Sequence, residues 1–207
     1  AVIVNSGIAN ACTGEEGMGY CKETAQAAAE ALGIQASGVT IGSTGVIGMQ
    51  LPIEKVKAGI QVLAGEKNGS LENGTAAAKA IMTTDTCEKE LAVELEIGGK
   101  TVTLGGMAKG SGMIHPNMGT MLCGITTDCA IDGALLQDML RQVVTKTFNR
   151  ITVDGDTSTN DTCVVLANGL AGNPAITGPG EDYDIFFAAL RHVCEYEAKM
   201  IASDGEG

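Results

Sequence analysis

Apolar residues along the chain occur in short continuous runs and in helical repeats, separated by glycine-rich polar turns. Short continuous runs are typical of buried strands, whereas helical spacing of apolar residues predicts helices. The first half therefore predicts strands at residues 1–5 and 39–41 and helices at about 15–32, 53–63 and 75–82. Gly33 and Pro52 support two of these boundaries, because glycine commonly ends helices and proline is favoured in their first turn.

The second half begins with the pattern of a β-hairpin. Residues 91–97 alternate between apolar and polar positions and are joined through Gly98 and Gly99 to residues 101–104. The remaining predicted elements are strands at 121–125, 150–153 and 163–167 and helices at about 133–147 and 181–203. Strands and helices alternate loosely, so the fold class is α/β or α+β. No linker divides the 207 residues, which predicts a single domain.

The charge balance argues against nucleic acid as a partner. The formal net charge is −12 and the pI is near 4.5, whereas binding to a phosphate backbone needs clustered lysine and arginine. A membrane partner is not expected either. No apolar run approaches the roughly 18 residues that span a bilayer, and no basic and apolar signal segment is present.

Cysteine usage predicts a cytoplasmic protein. The seven cysteines are an odd number without a CxxC pair, and most lie in apolar runs, where thiols pack as small hydrophobic groups; they stand at positions 12, 21, 87, 123, 129, 163 and 194. This pattern favours a reducing compartment. The first residue is alanine, and we expect the chain to be a fragment or processed product of a longer precursor.

The strongest candidate for chemistry is Thr120, in the segment KGSGMIHPNMGTMLCGITTD at residues 109–128. Threonine is a common strand residue, so its place at the start of an apolar run is by itself weak evidence. The glycine-rich approach and the small Gly119 favour attack of the Thr120 hydroxyl on the preceding carbonyl. Cleavage would free an α-amine with an ordinary pKa of about 7.7 to 8.0, which can serve as the base for the same hydroxyl.

Five further blocks accompany this segment in the chain: VNSGIANACTG at 4–14, GSTGVIG at 42–48, AIMTTDT at 80–86, FNRITVDGDTSTNDT at 148–162 and SDGEG at 203–207. Together they resemble the ornithine acetyltransferase family, also called glutamate N-acetyltransferase, whose precursors cleave themselves before a threonine in a loop KGSGMIxPNMxTML. The blocks follow the family's order and spacing over essentially all 207 residues. The resemblance implies a layered fold in which β-sheets pack between helices, of the self-cleaving ornithine acetyltransferase and aminopeptidase type.

The resemblance implies a catalytic centre of three residues. Thr120 would be the nucleophile, released by cleavage between Gly119 and Thr120, and Thr44 with Gly45 would form the oxyanion hole. A hydroxyl and a backbone N–H converging on one oxyanion suit that role. The plain alternative for Thr44 and Gly45 is a tight turn between a strand and a helix. The run GSTGVIG is not a phosphate loop, because it lacks the GK[ST] ending.

Substrate contacts are implied at Thr83, Lys109 and Glu206, in addition to Thr120. A lysine before the nucleophile suits a substrate carboxylate, and a glutamate suits the amino group of ornithine. The alternatives are a helix-end hydroxyl at Thr83, with Thr84 adjacent, a solvated loop lysine and an exposed glutamate near the end of the chain.

Metal and cofactor chemistry is not indicated. Asp154, Asp156, Ser158 and Asn160 alternate like half of a calcium loop, but the sixth and twelfth positions are threonine and valine instead of glycine and glutamate. A structural polar turn, placed to line the active site, is the interpretation. His115 is interpreted as non-catalytic, and no cofactor or metal is expected.

The implied reaction moves an acetyl group from N2-acetyl-L-ornithine to L-glutamate through acetyl-threonine, in arginine biosynthesis. Use of acetyl-CoA as a donor stays open. Residues 1–207 would be a single catalytic domain fragment, with 1–119 in the α-chain and 120–207 in the β-chain of a hetero-oligomer that includes the other processed chain. The alternatives are an amidase or aminopeptidase of the same self-cleaving plan, and a non-catalytic α/β binding module.

Overall fold

The computed structural model describes residues 1–115 and 121–206, in which strands and helices alternate. The strands are β1 (Val2–Asn5), β2 (Thr40–Ser43), β3 (Lys89–Ile97), β4 (Lys100–Lys109), β5 (Leu122–Thr127) and β6 (Thr162–Ala167). The helices are α1 (Gly14–Leu32), α2 (Ile53–Glu66), α3 (Leu71–Ala80), α4 (Gly133–Val144) and α5 (Glu181–Ser203). Short 3₁₀ turns occur at Ala36–Gly38 and Phe148–Arg150. None of the helices in the described ranges is both long and apolar enough to span a bilayer.

The strands form two separate sheets. In the first sheet β1 and β2 pair in parallel. The second sheet has the order β3-β4-β5-β6, antiparallel except for the parallel pair β5 and β6. Helix α4 lies in the connection between β5 and β6, as parallel neighbours require a long crossover.

The two sheets lie face to face between layers of helices. Helix α1 packs against α2 and against both strands of the first sheet, while α5 packs against β3, β4 and α4. The sheets touch through Gly42 of β2, where an added Cβ would lie 3.5 Å from Leu122 Cδ2 in β5. The order is helices, sheet, sheet, helices. The α/β class and the packing of sheets between helices are confirmed.

The main core fills the space between the four-stranded sheet and α4 and α5. Its fully buried members include Leu104, Ile125, Met139, Phe186, Leu190 and Ile201. Gly106 sets how closely α5 approaches, because an added Cβ there would lie 2.9 Å from Val193 Cγ1. A larger residue at this position would push the helix away from the sheet.

Several boundaries follow the local signals in the sequence. Gly33 ends α1 in the left-handed conformation with φ of +67°. The turn between β3 and β4 has positive φ at both Gly98 (+55°) and Gly99 (+72°), which matches the twist of a two-residue hairpin. The hairpin and α5 are confirmed, and α5 has the predicted bounds.

Other boundaries differ from the sequence prediction. The strand predicted at 150–153 is wrong, because this stretch is irregular after the 3₁₀ turn and Val153 donates its N–H to Ile114 O at 2.8 Å. Helix α3 begins earlier than predicted, because the Ser70 side chain caps it by accepting a hydrogen bond from Asn73 N. Helix α4 ends earlier, and β2 continues through Ser43.

Candidate functional site

Thr44 directly follows β2 and is buried, with 1% of its surface exposed. Its main-chain N–H donates to Asn5 O at 3.1 Å, which continues the pairing of β1 with β2. Its Oγ1 is buried and has no hydrogen-bond partner among the described residues. A buried hydroxyl without a partner is costly unless something else binds there. This geometry leaves the hydroxyl free to donate to an incoming oxygen.

Gly45 lies where two sequence blocks meet, and only glycine fits. Its φ is +131°, and an added Cβ would lie 2.2 Å from the carbonyl carbon of Gly7. Val46 donates its N–H to Gly7 O at 3.1 Å, and Ala9 donates to Val46 O at 2.9 Å. The block at 4–14 therefore braces the turn at 42–48 and fixes the orientation of Thr44.

Lys109 is the last residue of β4, and 3% of its surface is exposed. Its Nζ donates to Thr83 Oγ1 at 3.1 Å and lies 4.0 Å from Asp85 Oδ2. Burial lowers the pKa of Lys109, and the nearby Asp85 carboxylate opposes part of that effect. The structure thus brings together Thr83 and Lys109, which the sequence named separately.

Asp85 holds this region together, although the sequence did not indicate it. Its carboxylate accepts hydrogen bonds from Lys89 Nζ at 2.8 Å, Gly110 N at 2.7 Å and Thr83 N at 3.1 Å. Burial opposes its ionisation, but these hydrogen bonds outweigh burial and lower the pKa of Asp85. The carboxylate therefore positions the backbone on both sides of Lys109.

Lys89 is fully buried in β3 and joins Asp85 to Asp204, its second partner at 2.6 Å. Burial favours a neutral amine, but the two carboxylates outweigh it and raise the pKa of Lys89. Burial likewise opposes ionisation of Asp204, but hydrogen bonds from Lys89 and Thr86 lower its pKa to about 2. An alternating strand gives no sign that one of its lysines faces the core, so sequence reasoning missed Lys89.

The end of the described chain joins the same cluster. Glu206 donates its N–H to Ser111 O at 2.8 Å, and the Ser111 and Thr84 hydroxyls are hydrogen-bonded at 2.7 Å. The Glu206 carboxylate lies over Gly112, where an added Cβ would be 2.7 Å from Oε2. Its charge also acts on Lys109 by opposing the fall in the Lys109 pKa. Glu206 itself is exposed to solvent.

The strand register places Thr44 and the residues around Lys109 near the start of β5. Lys109 is paired with Leu122, the first residue of β5, and Leu122 packs beside Gly42 of β2. Thr44 follows Gly42 by two residues. The predicted cleavage residues Gly119 and Thr120 lie outside the described residues, and Thr120 precedes Leu122 by two positions in the chain.

The polar block at 148–162 braces the chain on both sides of that segment. Asp154 accepts hydrogen bonds from the N–H groups of Met113 at 2.5 Å, Ile114 at 3.0 Å and Asp156 at 3.1 Å. Burial opposes its ionisation, but these donors together outweigh burial and lower the pKa of Asp154. Its carboxylate oxygens thus bind backbone amides, as in the structural polar turn predicted from the sequence. His115 is exposed and contacts the Thr152 hydroxyl at 3.3 Å.

These features define a layered α/β protein whose two sheets meet at a site with a buried lysine, clustered carboxylates and a buried hydroxyl that has no partner in the described part of the chain. Residues 1–207 match the ArgJ family. The chain belongs to this family, and the resemblance drawn from the sequence blocks is confirmed.

Individual relatives support the same assignment. The arginine biosynthesis bifunctional protein ArgJ of Symbiobacterium thermophilum is 58% identical over all of this chain and 51% of its own length. That of Bacillus subtilis is 53% identical over all of this chain and 50% of its own. The chain spans about half the length of the curated relatives it matches. The crystal structure of the Bacillus halodurans argJ protein shares 46% identity with a TM-score of 0.52, over 56% of this chain and 60% of that one.

Proposed function

We propose that this chain forms a large part of an acetyltransferase that moves acetyl from N2-acetyl-L-ornithine to L-glutamate in arginine biosynthesis. One observation carries the proposal. Thr44 Oγ1, a buried hydroxyl without a partner among the described residues, and Lys109 Nζ, a buried amine, come from different sheets to the region where β5 begins. An oxyanion donor and a cation beside a candidate nucleophile suit acyl transfer from an anionic substrate.

In this mechanism the Thr120 hydroxyl attacks the acetyl carbonyl carbon of N2-acetyl-L-ornithine. The Thr44 hydroxyl and the Gly45 N–H stabilise the oxyanion, which Gly45 permits because it carries no side chain. The α-amine of Thr120 takes up the hydroxyl proton and passes it to the ornithine amine as the C–N bond to ornithine breaks. The amine of glutamate then attacks acetyl-Thr120, which returns the hydroxyl and releases N-acetylglutamate. No cofactor takes part.

Lys109, Thr83 and Glu206 bind the substrate in this proposal. The Lys109 ammonium pairs with the substrate carboxylate, and its bond to Thr83 Oγ1 at 3.1 Å fixes where the charge lies. Glu206, exposed above Gly112, pairs with the side-chain amine of ornithine.

The proposal includes processing and assembly. The precursor cleaves itself between Gly119 and Thr120, which leaves residues 1–119 in an α-chain and 120–207 in a β-chain that remain together in a hetero-oligomer. Acetyl-CoA is proposed as a second donor to the same threonine. The cysteine usage favours the cytoplasm as its location.

A direct test is to trap the acetyl group on the complete processed enzyme. Incubation with N2-acetyl-L-ornithine labelled in its acetyl group, without glutamate, should label a peptide that begins at Thr120, and glutamate should remove the label as N-acetylglutamate. Release as acetate at the same rate with and without glutamate would indicate the amidase alternative. A protein that binds the substrate without any labelling would indicate a binding module.

A further inference from the structure

Asp161 lies immediately before β6. Among the described residues, one of its carboxylate oxygens accepts a hydrogen bond and the other has no partner. Its Oδ1 accepts a hydrogen bond from Met121 N at 2.9 Å. Its Oδ2 is buried and has no partner among the described residues. A buried carboxylate oxygen is costly to leave unpaired. Packing alone does not account for a carboxylate oxygen buried in this way, which points to a functional role for Asp161.

Met121 is the covalent neighbour of Thr120, so the bond from Asp161 ends one peptide unit from the proposed nucleophile. Three covalent bonds separate the main-chain nitrogens of Thr120 and Met121. Standard bond lengths keep these two atoms within about 4 Å of each other in every conformation. Asp161 is thus restricted to the vicinity of residue 120 by connectivity and one short hydrogen bond.

The surrounding backbone holds Asp161 firmly in that place. Thr162 donates its N–H to Met121 O at 3.0 Å, so both main-chain polar groups of Met121 are bonded to residues 161 and 162. On the other flank, Val153 and Asp154 bind the main chain of Ile114. One connection therefore braces the chain before and after the predicted cleavage position.

Self-cleavage needs a base for the Thr120 hydroxyl, and the Asp161 carboxylate can supply it. Before the cut, the nitrogen of Thr120 is an amide and cannot act as a base, so the free α-amine that serves the acetyl transfer does not yet exist. Resting on the proposed function, we propose that Asp161 is the proton acceptor for the Thr120 hydroxyl during self-cleavage. The carboxylate would have no such duty in the later acetyl transfer.

The Thr120 hydroxyl passes its proton to the Asp161 carboxylate while its oxygen bonds to the carbonyl carbon of Gly119. The bond from that carbon to the nitrogen of Thr120 then breaks, and the nitrogen receives the proton back from Asp161. Water hydrolyses the resulting ester, which leaves a carboxylate at Gly119 and restores the threonine hydroxyl beside a free amine.

The electrostatics suit a proton acceptor that works near neutral pH. Burial raises the pKa of Asp161 to about 7, and the Met121 N–H opposes part of the rise. The charged groups on the facing elements, Lys109 at the end of β4 and Asp154 and Asp156 on the same connection, add nothing to this shift. The acceptor is therefore ionised above pH 7 and neutral below it, in the range where acid–base catalysis is effective.

The test follows cleavage of the complete precursor, made by cell-free synthesis, by intact mass against time from pH 6 to pH 8. The wild-type rate should rise about tenfold across this range, as the carboxylate ionises. Asp161→Asn keeps an oxygen that accepts from Met121 N–H but lacks the base, so its cleavage should slow by about a hundredfold or more and lose that pH dependence. Asp156→Asn, on the same connection, should cleave like the wild type.

Asp154→Asn is the control for a residue that only positions the backbone and takes no proton. It weakens the brace at Ile114, so cleavage should slow equally at every pH and keep the wild-type profile. If Asp161→Asn behaves in that way, or cleaves at the wild-type rate, the inference is overturned while the proposed function stands. A flat profile in the wild type overturns it without any variant. A wild-type precursor that never cuts before Thr120 would overturn the self-cleaving function and this inference together.

Discussion

Lys89 Nζ lies 2.6 Å from Asp204 Oδ2, which joins β3 to the residue that follows α5. The same ammonium group lies 2.8 Å from Asp85 Oδ1, and Asp85 in turn binds the main chain at Thr83 and Gly110. One buried cation therefore connects the end of the last helix with the loops around Lys109. Glu206 follows Asp204 by two residues, so this connection also places the proposed amine-binding carboxylate.

Removing the Lys89 charge should destabilise the fold strongly. Lys89→Met leaves Asp85 and Asp204 without their buried counter-ion, and breaking such a pair costs about 3–5 kcal/mol. Urea denaturation of the complete protein at pH 7 measures this as a lower unfolding midpoint. The matched control is Lys57→Met, whose ion pairs with Glu23 and Glu54 are partly exposed. That change should lower the unfolding midpoint much less, because solvent-exposed ion pairs contribute little to stability. Equal losses for both variants would contradict the role of burial.

Thr44→Ala should lower kcat by about a hundredfold to a thousandfold, because it removes one oxyanion donor. The KM for N2-acetyl-L-ornithine should change little, since the donor acts on charge that develops in the transition state. Stability should not fall much, because the hydroxyl has no partner among the described residues. Initial rates of the processed enzyme check the prediction, with Thr101→Ala in the exposed part of β4 as the control. A rise in KM with unchanged kcat would assign Thr44 to substrate binding instead.

Sequence reasoning recovered those parts of the fold that local chemistry determines. The hairpin follows from two glycines between alternating strands, and α5 follows from its length and its helical pattern. The prediction for 150–153 was wrong because Ile151 and Val153 alternate like a strand, whereas Val153 donates its N–H to Ile114 O in a loop distant in sequence. Such long-range pairing leaves no local signal.

The candidate site likewise contains some residues that the sequence predicts and others that only the structure reveals. Thr44, Gly45, Thr83, Lys109 and Glu206 are predicted as site residues because their surrounding blocks resemble a known family. Asp85 and Asp161 lie within these blocks and Lys89 lies outside them, but nothing in the sequence assigns a role to any of the three. Their importance arises from burial and from partners distant in sequence. Lys89 and Asp204 are separated by 115 residues. Only the folded chain shows that they meet.

Lys109→Met should raise the KM for N2-acetyl-L-ornithine by roughly tenfold to a hundredfold, the loss expected for a charge-assisted hydrogen bond. The acid limb of kcat/KM should also move to higher pH. Lys109 is paired with Leu122, two residues after Thr120, and its positive charge disfavours the ammonium form of a nearby amine. Removing the charge should therefore raise the pKa of the Thr120 amine. The measurement is kcat/KM from acid to neutral pH, after mass spectrometry shows that the variant is cleaved.

Lys100→Met is the control, because this lysine is exposed at the start of β4, at the far end of the strand from Lys109. It should leave both KM and the acid limb unchanged. An unchanged limb in Lys109→Met, together with a raised KM, would restrict Lys109 to substrate binding. Unchanged values of both would remove it from the site.

Because Glu197 is buried and its pKa is raised, we expect the free energy of unfolding to fall as pH rises. Glu197 lies fully buried between α5 and the sheet, and neither carboxylate oxygen has a partner among the described residues. Burial raises the pKa of Glu197 to about 8, an effect that Lys89 opposes and Glu90 reinforces. The ordinary pKa of glutamate is about 4.3, so the folded state binds more protons than the unfolded state between about pH 4 and pH 8. Stability contributed by the neutral carboxyl group is therefore present in acid and lost across that interval.

Glu197→Gln keeps the shape of the side chain and removes the titration. Its free energy of unfolding should exceed that of the wild type increasingly from pH 5 to pH 8, by up to ~1.4 kcal/mol per pH unit. A smaller slope should remain, because Asp161 also has a raised pKa, of about 7. Glu195→Gln, a change at a partly exposed carboxylate on the same helix, should follow the wild-type slope. If Glu197→Gln and the wild type lose stability in parallel over this range, Glu197 is ionised in the fold and some other group must compensate its charge.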